Sequence, residues 1–329
     1  MVECTFSSGP LVDAHEHVQR IRSLIAHRCG VRGRTGFGPA AHLNAGDAIL
    51  TVLQSRCGAL DVKMELEMTS HRRPFRRGVL VSLAGALLVL SVRTASAEFV
   101  TWQVEGDTRQ AIVYARSAPA AGARVPLILA FHGRGDDMQN FQFTALHAAW
   151  PGAIVVYFQG LETRGGLAGW QVERGENNDR DLKLVDTALA ALRAKYTIDD
   201  DRIYATGFSN GAMFTYLLWA ERPGVFAAYA AVAGRLRPSV QPTQPRPLLH
   251  VAGERDAQVT FPDQKAAIAT ALAVNGVRDK ATPCGDGCTM YGPGTPAPVM
   301  TWIHPGGHDY PRGTSERIAS FFRDHPRTR

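Results

Sequence analysis

The chain has 329 residues, 45% apolar and 20% charged. These are the proportions of a folded globular protein, not of a disordered, collagenous or multi-span membrane chain. The net charge of +6 is unevenly placed: residues 1–97 hold 12 Lys/Arg against 7 Asp/Glu, and residues 98–329 hold 24 against 23. So neutral a body gives no support to nucleic-acid binding by phosphate neutralisation.

Residues 1–67 show no sustained helical or strand period and are rich in Arg, Gly and His. Their His15-Glu16-His17 cluster lacks partner ligands at zinc-like spacing. An export signal follows. His71-Arg72-Arg73-Pro74-Phe75-Arg76-Arg77 is a basic segment, residues 78–90 are an uncharged, mainly apolar run, and Ala95-Ser96-Ala97 is a small-x-small cleavage site before Glu98. That order is the order of a secretory signal peptide. The apolar run is shorter than the roughly 20 residues of a membrane span. Arg72-Arg73-x-Phe75 resembles a twin-arginine signal; Pro74 and Arg76 depart from it and leave Sec export as the alternative. The expectation is that translation starts at Met68, or at Met64. Residues 1–67 are then a non-native or disordered extension, residues 68–97 a removable signal, and residues 98–329 one secreted domain, extracellular or periplasmic, with no stable membrane association. The two cysteines of this domain, Cys284 and Cys288, read as a disulfide in an exported chain.

In the body, strand-like and helix-like segments alternate. Residues 101–104 and 110–114 form a candidate antiparallel pair. Residues 125–131 (VPLILAF) are continuously apolar, as a strand buried on both faces requires, and 153–158, 202–206, 225–233, 248–252 and 299–303 follow the same rule. Helical periodicity marks 181–196, with Leu182, Val185, Leu189 and Leu192 on one face, and then 212–221, 263–274 and 315–324. Residues 241–247 are a Pro-rich surface connector. Buried strands alternating with helices imply a mainly parallel sheet covered on both faces, an α/β fold.

The chemistry concentrates at Gly207-Phe208-Ser209-Asn210-Gly211, a Gly-x-Ser-x-Gly between a strand and a helix. In that context it reads as a nucleophile elbow, with Gly207 and Gly211 clearing room for a sharp turn that presents Ser209. A serine hydroxyl needs a base, and the base an orienting acid. On this fold they follow the serine in the order acid, then histidine. His308, in the loop Pro305-Gly306-Gly307-His308, is the candidate base and His304 its competitor. His250 lies inside an apolar strand and reads as a core residue, and His325 sits in the tail. Asp256, in the loop after 248–252, is the candidate acid, with Glu254 and Asp263 as competitors. His132-Gly133-Arg134-Gly135 follows strand 125–131. This makes the backbone N–H groups of Arg134 and Asn210 the candidate oxyanion hole, with His132 structural. A zinc site from His132, Asp136, Asp137, His304 and His308 is disfavoured, because Pro305, Gly306 and Gly307 keep the last two imidazoles off any common helical face.

Together these pieces resemble the extracellular esterases grouped as polyhydroxybutyrate depolymerase-like and feruloyl or acetylxylan esterase-like α/β-hydrolases. The resemblance runs over residues 99–325. It rests on His132-Gly133, Asn178-Asp179, Ile198-Asp199-x-x-Arg202-Ile203-Tyr204-Ala205-Thr206-Gly207, Ser209-Asn210-Gly211, Gly253-x-x-Asp256 and Gly306-Gly307-His308-x-Tyr310-Pro311. It implies the α/β-hydrolase fold, a Ser209–His308–Asp256 triad, and hydrolysis of carboxylic esters by an acyl-enzyme route with no cofactor or metal. Feruloylated or acetylated polysaccharides and hydroxyalkanoate oligomers are the implied substrates. Tyr310 stands where that family usually has Trp, and is expected to shape the acyl pocket. Trp170, in the Gly-rich connection 160–177, is expected to stack on substrate, with packing against the body as the alternative. A non-catalytic polymer-binding protein on the same scaffold and a serine peptidase are the competing readings.

Overall fold

A computed structural model describes residues 41–45, 48–54, 60–65, 95–116, 122–278 and 281–327. Two compact units divide the chain at Leu87. In the first, β1 (Ala41–Ala45), β2 (Ala48–Gln54) and β3 (Leu60–Glu65) pair antiparallel in that order. The sequence reading finds no strand period here. Backbone pairing needs none, and β2 (AILTVLQ) does carry β-branched residues. The His15-Glu16-His17 cluster and the export-signal run 78–90 lie outside the described residues.

The second unit is built on a ten-stranded sheet. Its strands are β4 (Ala95–Val104), β5 (Asp107–Arg116), β6 (Val125–Phe131), β7 (Ile154–Phe158), β10 (Ile198–Phe208), β11 (Ala228–Val232), β12 (Leu248–Gly253), β13 (Ala281–Gly285), β14 (Cys288–Tyr291) and β15 (Val299–His304). A separate hairpin pairs β8 (Leu161–Glu162) with β9 (Ala168–Gly169). In space the order is β13-β14-β15-β12-β11-β10-β6-β7-β5-β4. From β15 to β7 every neighbouring pair is parallel. Antiparallel hairpins close both edges. The outer hairpin β13–β14 was not anticipated, because its Thr-Pro-Cys-Gly composition carries no strand period. Cys284 and Cys288 meet across it, with Cα atoms 5.0 Å apart.

The parallel strands are almost wholly buried, which explains their unbroken apolar runs. Three helices, α3 (Arg180–Lys195), α4 (Asn210–Glu221) and α5 (Phe261–Asn275), pack on one face of the sheet. The short α1 (Met138–Phe141) and α2 (Leu146–Ala149) pack on the other with α6 (Thr314–Asp324). The predicted stripe Leu182, Val185, Leu189 and Leu192 is the buried face of α3. At α5, the Thr260 side chain accepts from the Asp263 N–H and Gly276 ends the helix in the left-handed region. This order of strands and helices is the α/β-hydrolase fold expected from the sequence. Among the described residues, no helix is long and apolar enough to cross a membrane.

The connection from β7 to α3 is pinned from beneath. Asp181, in the first turn of α3, is fully buried and receives Arg109 of β5 at 2.7 Å. Its other carboxylate oxygen accepts from the Gln171 N–H at 2.7 Å. Asn177, Asn178 and Asp179 all take left-handed backbone conformations just before the helix, which short polar residues tolerate best. Removing one partner of a buried ion pair strands the other charge. Arg109→Met is therefore expected to destabilise the protein by about 3–5 kcal/mol, seen as a lowered urea midpoint. An unchanged midpoint would show that the pair does not hold this connection.

Candidate active site

Because strands β6, β10, β12 and β15 run parallel, the loops that follow them leave the sheet from one edge. Those loops carry His132–Gly135, Ser209, Asp256 and His308. Ser209 sits between β10 and α4 at φ 55° and ψ −114°, a strained conformation for a residue with a side chain. The two flanking glycines make the turn possible. A Cβ on Gly207 would stand 2.3 Å from the Gly211 backbone, and one on Gly211 would stand 2.1 Å from the Phe131 carbonyl oxygen. The Ser209 N–H donates to the Val232 carbonyl at 2.8 Å, which ties the elbow to the neighbouring strand.

Three side chains from three loops line up. Ser209 Oγ lies 2.8 Å from His308 Nε2, and His308 Nδ1 lies 2.8 Å from Asp256 Oδ2. An ionised carboxylate only accepts, so Nδ1 carries the hydrogen and Nε2 is left to accept from the serine hydroxyl. The other Asp256 oxygen accepts from the N–H groups of Gln258 and Val259, each at 2.9 Å. The loops that carry Asp256 and His308 are stitched together by Glu254 N–H to the His304 carbonyl at 2.9 Å and Arg255 N–H to the Gly306 carbonyl at 3.0 Å. Phe208 packs on the His308 ring at 5.0 Å.

The competitors are placed elsewhere. His304 is buried and its Nδ1 accepts from the Gly306 N–H at 3.1 Å within its own turn. Asp263 pairs with Thr260 in the first turn of α5, and Glu254 is exposed. Among the described residues, no group of three or more His, Cys, Asp or Glu side chains is arranged to hold a metal ion.

His132 is buried beneath the loop it opens. Its Nδ1 lies 2.6 Å from the Gly133 carbonyl, and its Nε2 accepts from the Gly160 N–H at 2.9 Å. Burial lowers its pKa and keeps it neutral. Gly135 N–H donates to the Ala168 carbonyl at 2.7 Å, joining the loop to the β8–β9 hairpin. The Arg134 guanidinium reaches the Arg164 carbonyl of the same hairpin at 3.0 Å, so its side chain points along the rim. Asn210 opens α4, where the first backbone N–H groups have no partner inside the helix. Its side chain grips the Trp170 backbone from both sides, at 2.7 and 3.1 Å.

Trp170 does not take the substrate-stacking role expected from the sequence. The residue is 1% exposed. Its indole N–H donates to the His132 carbonyl at 2.9 Å, and its ring packs on Phe131 and Phe214. A ring committed to the core has no face left for a sugar or a phenol. Tyr310 is half-buried, with its hydroxyl 3.0 Å from Ser315 Oγ and its ring edge-on to Phe141 and Phe208. Its contact with the site therefore runs through Phe208.

Gln264 was missed. It is fully buried on α5, and its Nε2 donates to Asp256 Oδ2 at 3.0 Å and to the Val259 carbonyl at 2.8 Å. The available signal was a glutamine on the same helical face as Ala267, Ile268 and Ala271, which are also buried. His250 is the core residue its apolar strand implies, buried with its Nδ1 2.7 Å from the Tyr216 hydroxyl. Burial lowers its pKa to about 4.

Among known proteins, residues 151–241, which include Ser209, match the prolyl oligopeptidase family. The chain is 32% identical over 187 residues to the putative esterase NocK of Nocardia uniformis subsp. tsuyamanensis, covering 54% of each chain. It is 32% identical over 165 residues to the bifunctional acetylxylan esterase/xylanase XynS20E of Neocallimastix patriciarum, covering 48% of this chain and 23% of that one. The chain thus spans about half the length of the first relative and under a quarter of the second. An acetyl xylan esterase from Aspergillus awamori superposes with a TM-score of 0.54 at 16% identity, over 69% of this chain and 99% of that one. The α/β-hydrolase fold and the resemblance to esterases read from the motifs both stand on these matches.

Below its ordinary pKa of about 6.5, His250 takes up a proton in the unfolded chain but not in the folded one until pH nears 4. Its contribution is complete above the ordinary value and falls as pH drops through that window, by about 2–3 kcal/mol. Urea unfolding from pH 7.5 to 4.5 is expected to show this loss, with His132 and His147 adding to it, since burial lowers both. In His250→Gln the fall should be shallower; an identical slope would remove His250 from the account.

Proposed function

We propose that this α/β-hydrolase is a secreted serine carboxylic ester hydrolase acting on small ester groups such as the acetyl or feruloyl esters of plant polysaccharides, or on hydroxyalkanoate oligomers. The observation that carries the proposal is the 2.8 Å line from Ser209 through His308 to Asp256, with the serine held at an elbow. Ser209 Oγ attacks the acyl carbon while its proton passes to His308 Nε2. Asp256 stabilises the imidazolium that forms and does not take the proton. The oxyanion is met by the backbone N–H groups of Arg134 and Asn210, each worth roughly 3–4 kcal/mol in the transition state. His308 then protonates the leaving alcohol, and an acyl-serine remains. A water attacks it and gives its proton to His308; as the acyl–Oγ bond breaks, His308 returns that proton to Ser209 Oγ and the acid leaves. No step calls for a metal or cofactor.

With Trp170 buried, Leu167 is a large apolar side chain left exposed beside the loop after β6: it is 49% exposed, and a Cβ on Gly135 would stand 3.6 Å from it. The names of the relatives, acetylxylan esterase and putative esterase, support an ester substrate. The prolyl oligopeptidase match over 151–241 favours peptide bonds as the second reading. Export is supported by the signal-like order of residues 71–97 and by a cysteine pair at bonding distance. Cleavage after Ala97 leaves residues 98–104 paired with β5.

Purified protein should hydrolyse nitrophenyl acetate, and Ser209→Ala should lower kcat by about four orders of magnitude or more. A panel of methyl ferulate, acetylated xylan, hydroxybutyrate trimer and prolyl nitroanilide then sorts the substrate class. Turnover of the anilide alone would favour the peptidase; binding of polymer without turnover of any member would favour a non-catalytic scaffold.

A further inference from the structure

Behind Asp256 a buried chain of hydrogen bonds continues where the proposed triad ends. The Gln264 nitrogen faces two oxygens that only accept, Asp256 Oδ2 at 3.0 Å and the Val259 carbonyl at 2.8 Å. Both amide hydrogens are thereby used, which fixes the orientation of the amide. Its oxygen then faces His250 Nε2 at 3.3 Å. That nitrogen must carry a hydrogen, so in the neutral ring Nδ1 accepts, and the Tyr216 hydroxyl at 2.7 Å donates to it. Every donor in the chain has an acceptor, and no alternative tautomer satisfies all of them.

The path closes on itself. Ser209 stands just before α4 as its N-cap, and Tyr216 sits two turns further along the same helix. From Tyr216 the chain crosses β12 at His250, reaches α5 at Gln264, and returns through Asp256 and His308 to Ser209. The helix that presents the nucleophile and the loop that presents the acid are therefore referenced to each other through side chains that water does not reach. Tyr216, His250 and Gln264 are each 1% exposed or less. A polar network of this kind is costly inside a core unless every member is satisfied, and a hydrophobic trio would pack there without that risk.

We infer that Gln264 is a positioning residue for the reaction, holding the Asp256 carboxylate in the rotamer that faces His308, and that His250 and Tyr216 lock Gln264 in the donating orientation. This rests on the serine-hydrolase reading above. Without the amide donor, His308 is the one donor left on Asp256 Oδ2 among the described side chains, and the imidazolium that forms in the reaction faces a less compensated carboxylate. The titratable groups facing Asp256 are His308 and, through space, His304; those facing His250 are Tyr216 alone, Gln264 being neutral.

The test compares Gln264→Leu and Tyr216→Phe with the wild-type chain on a nitrophenyl ester across pH. Gln264→Leu should lower kcat by about ten- to a hundredfold, with KM changed less than about twofold, and should move the acidic limb of the kcat/KM profile to higher pH. Tyr216→Phe touches none of Ser209, His308 and Asp256, yet it frees His250 and so the amide. It should move the same limb in the same direction by a smaller amount. Wild-type kcat in Gln264→Leu, or losses that follow a lowered melting temperature with the limb unmoved, would overturn the inference. If Gln264→Leu does not fold, Tyr216→Phe alone decides by the same limb. Ser209→Ala run in parallel separates the two levels: activity surviving in it sinks the serine-hydrolase reading, whereas Ser209-dependent activity with an unmoved limb sinks only the role of Gln264.

Discussion

A carboxylate taken out of water costs several kcal/mol unless its lone pairs are met. The Asp256 side chain is fully buried, and four donors meet it: two backbone N–H groups on one oxygen, and Gln264 and His308 on the other. The rest of the site follows from that one compensated charge. Because the carboxylate is held, the imidazole of His308 has its hydrogen on Nδ1, and because of that, Nε2 is turned to the serine as an acceptor. The parallel sheet supplies the geometry, since it delivers the loops after β10, β12 and β15 to a common edge.

The proposed nucleophile depends on a second constraint, a backbone that does not relax. Positive φ at Ser209 costs on the order of 1–3 kcal/mol, and the elbow persists because it is fixed on all sides. Gly207 and Gly211 let β10, α4 and the end of β6 approach closer than side chains would permit. The loop after β6 is held in turn by His132 and by the clamp of Asn210 on Trp170. Residues far apart in sequence thus share one rigid frame around the Ser209 hydroxyl.

Much of this was legible in the sequence because it is written locally. Unbroken apolar runs mark strands buried on both faces, and Gly-x-Ser-x-Gly carries its own steric reason. The Ser, Asp, His order followed from the fold, and the structure brings those three side chains together. What was not legible depends on tertiary contact. Trp170 in a Gly-rich segment reads alike whether its ring turns outward to a ligand or inward to Phe131 and Phe214. Gln264 reads as one of several polar residues in its helix, and only the closeness of Asp256 and His250 gives it a meaning. The β13–β14 hairpin is hidden by proline and glycine, which are poor strand formers.

The central claim is that Ser209 is the one hydroxyl activated by a base. A fluorophosphonate, which reacts with activated serines and leaves ordinary hydroxyls alone, tests it without reference to any natural substrate. After incubation at neutral pH, intact mass and peptide mapping should find one adduct per chain, located on Ser209, forming far more slowly in His308→Ala. An unlabelled chain that still cleaves esters, or an adduct on any other residue, would contradict the account.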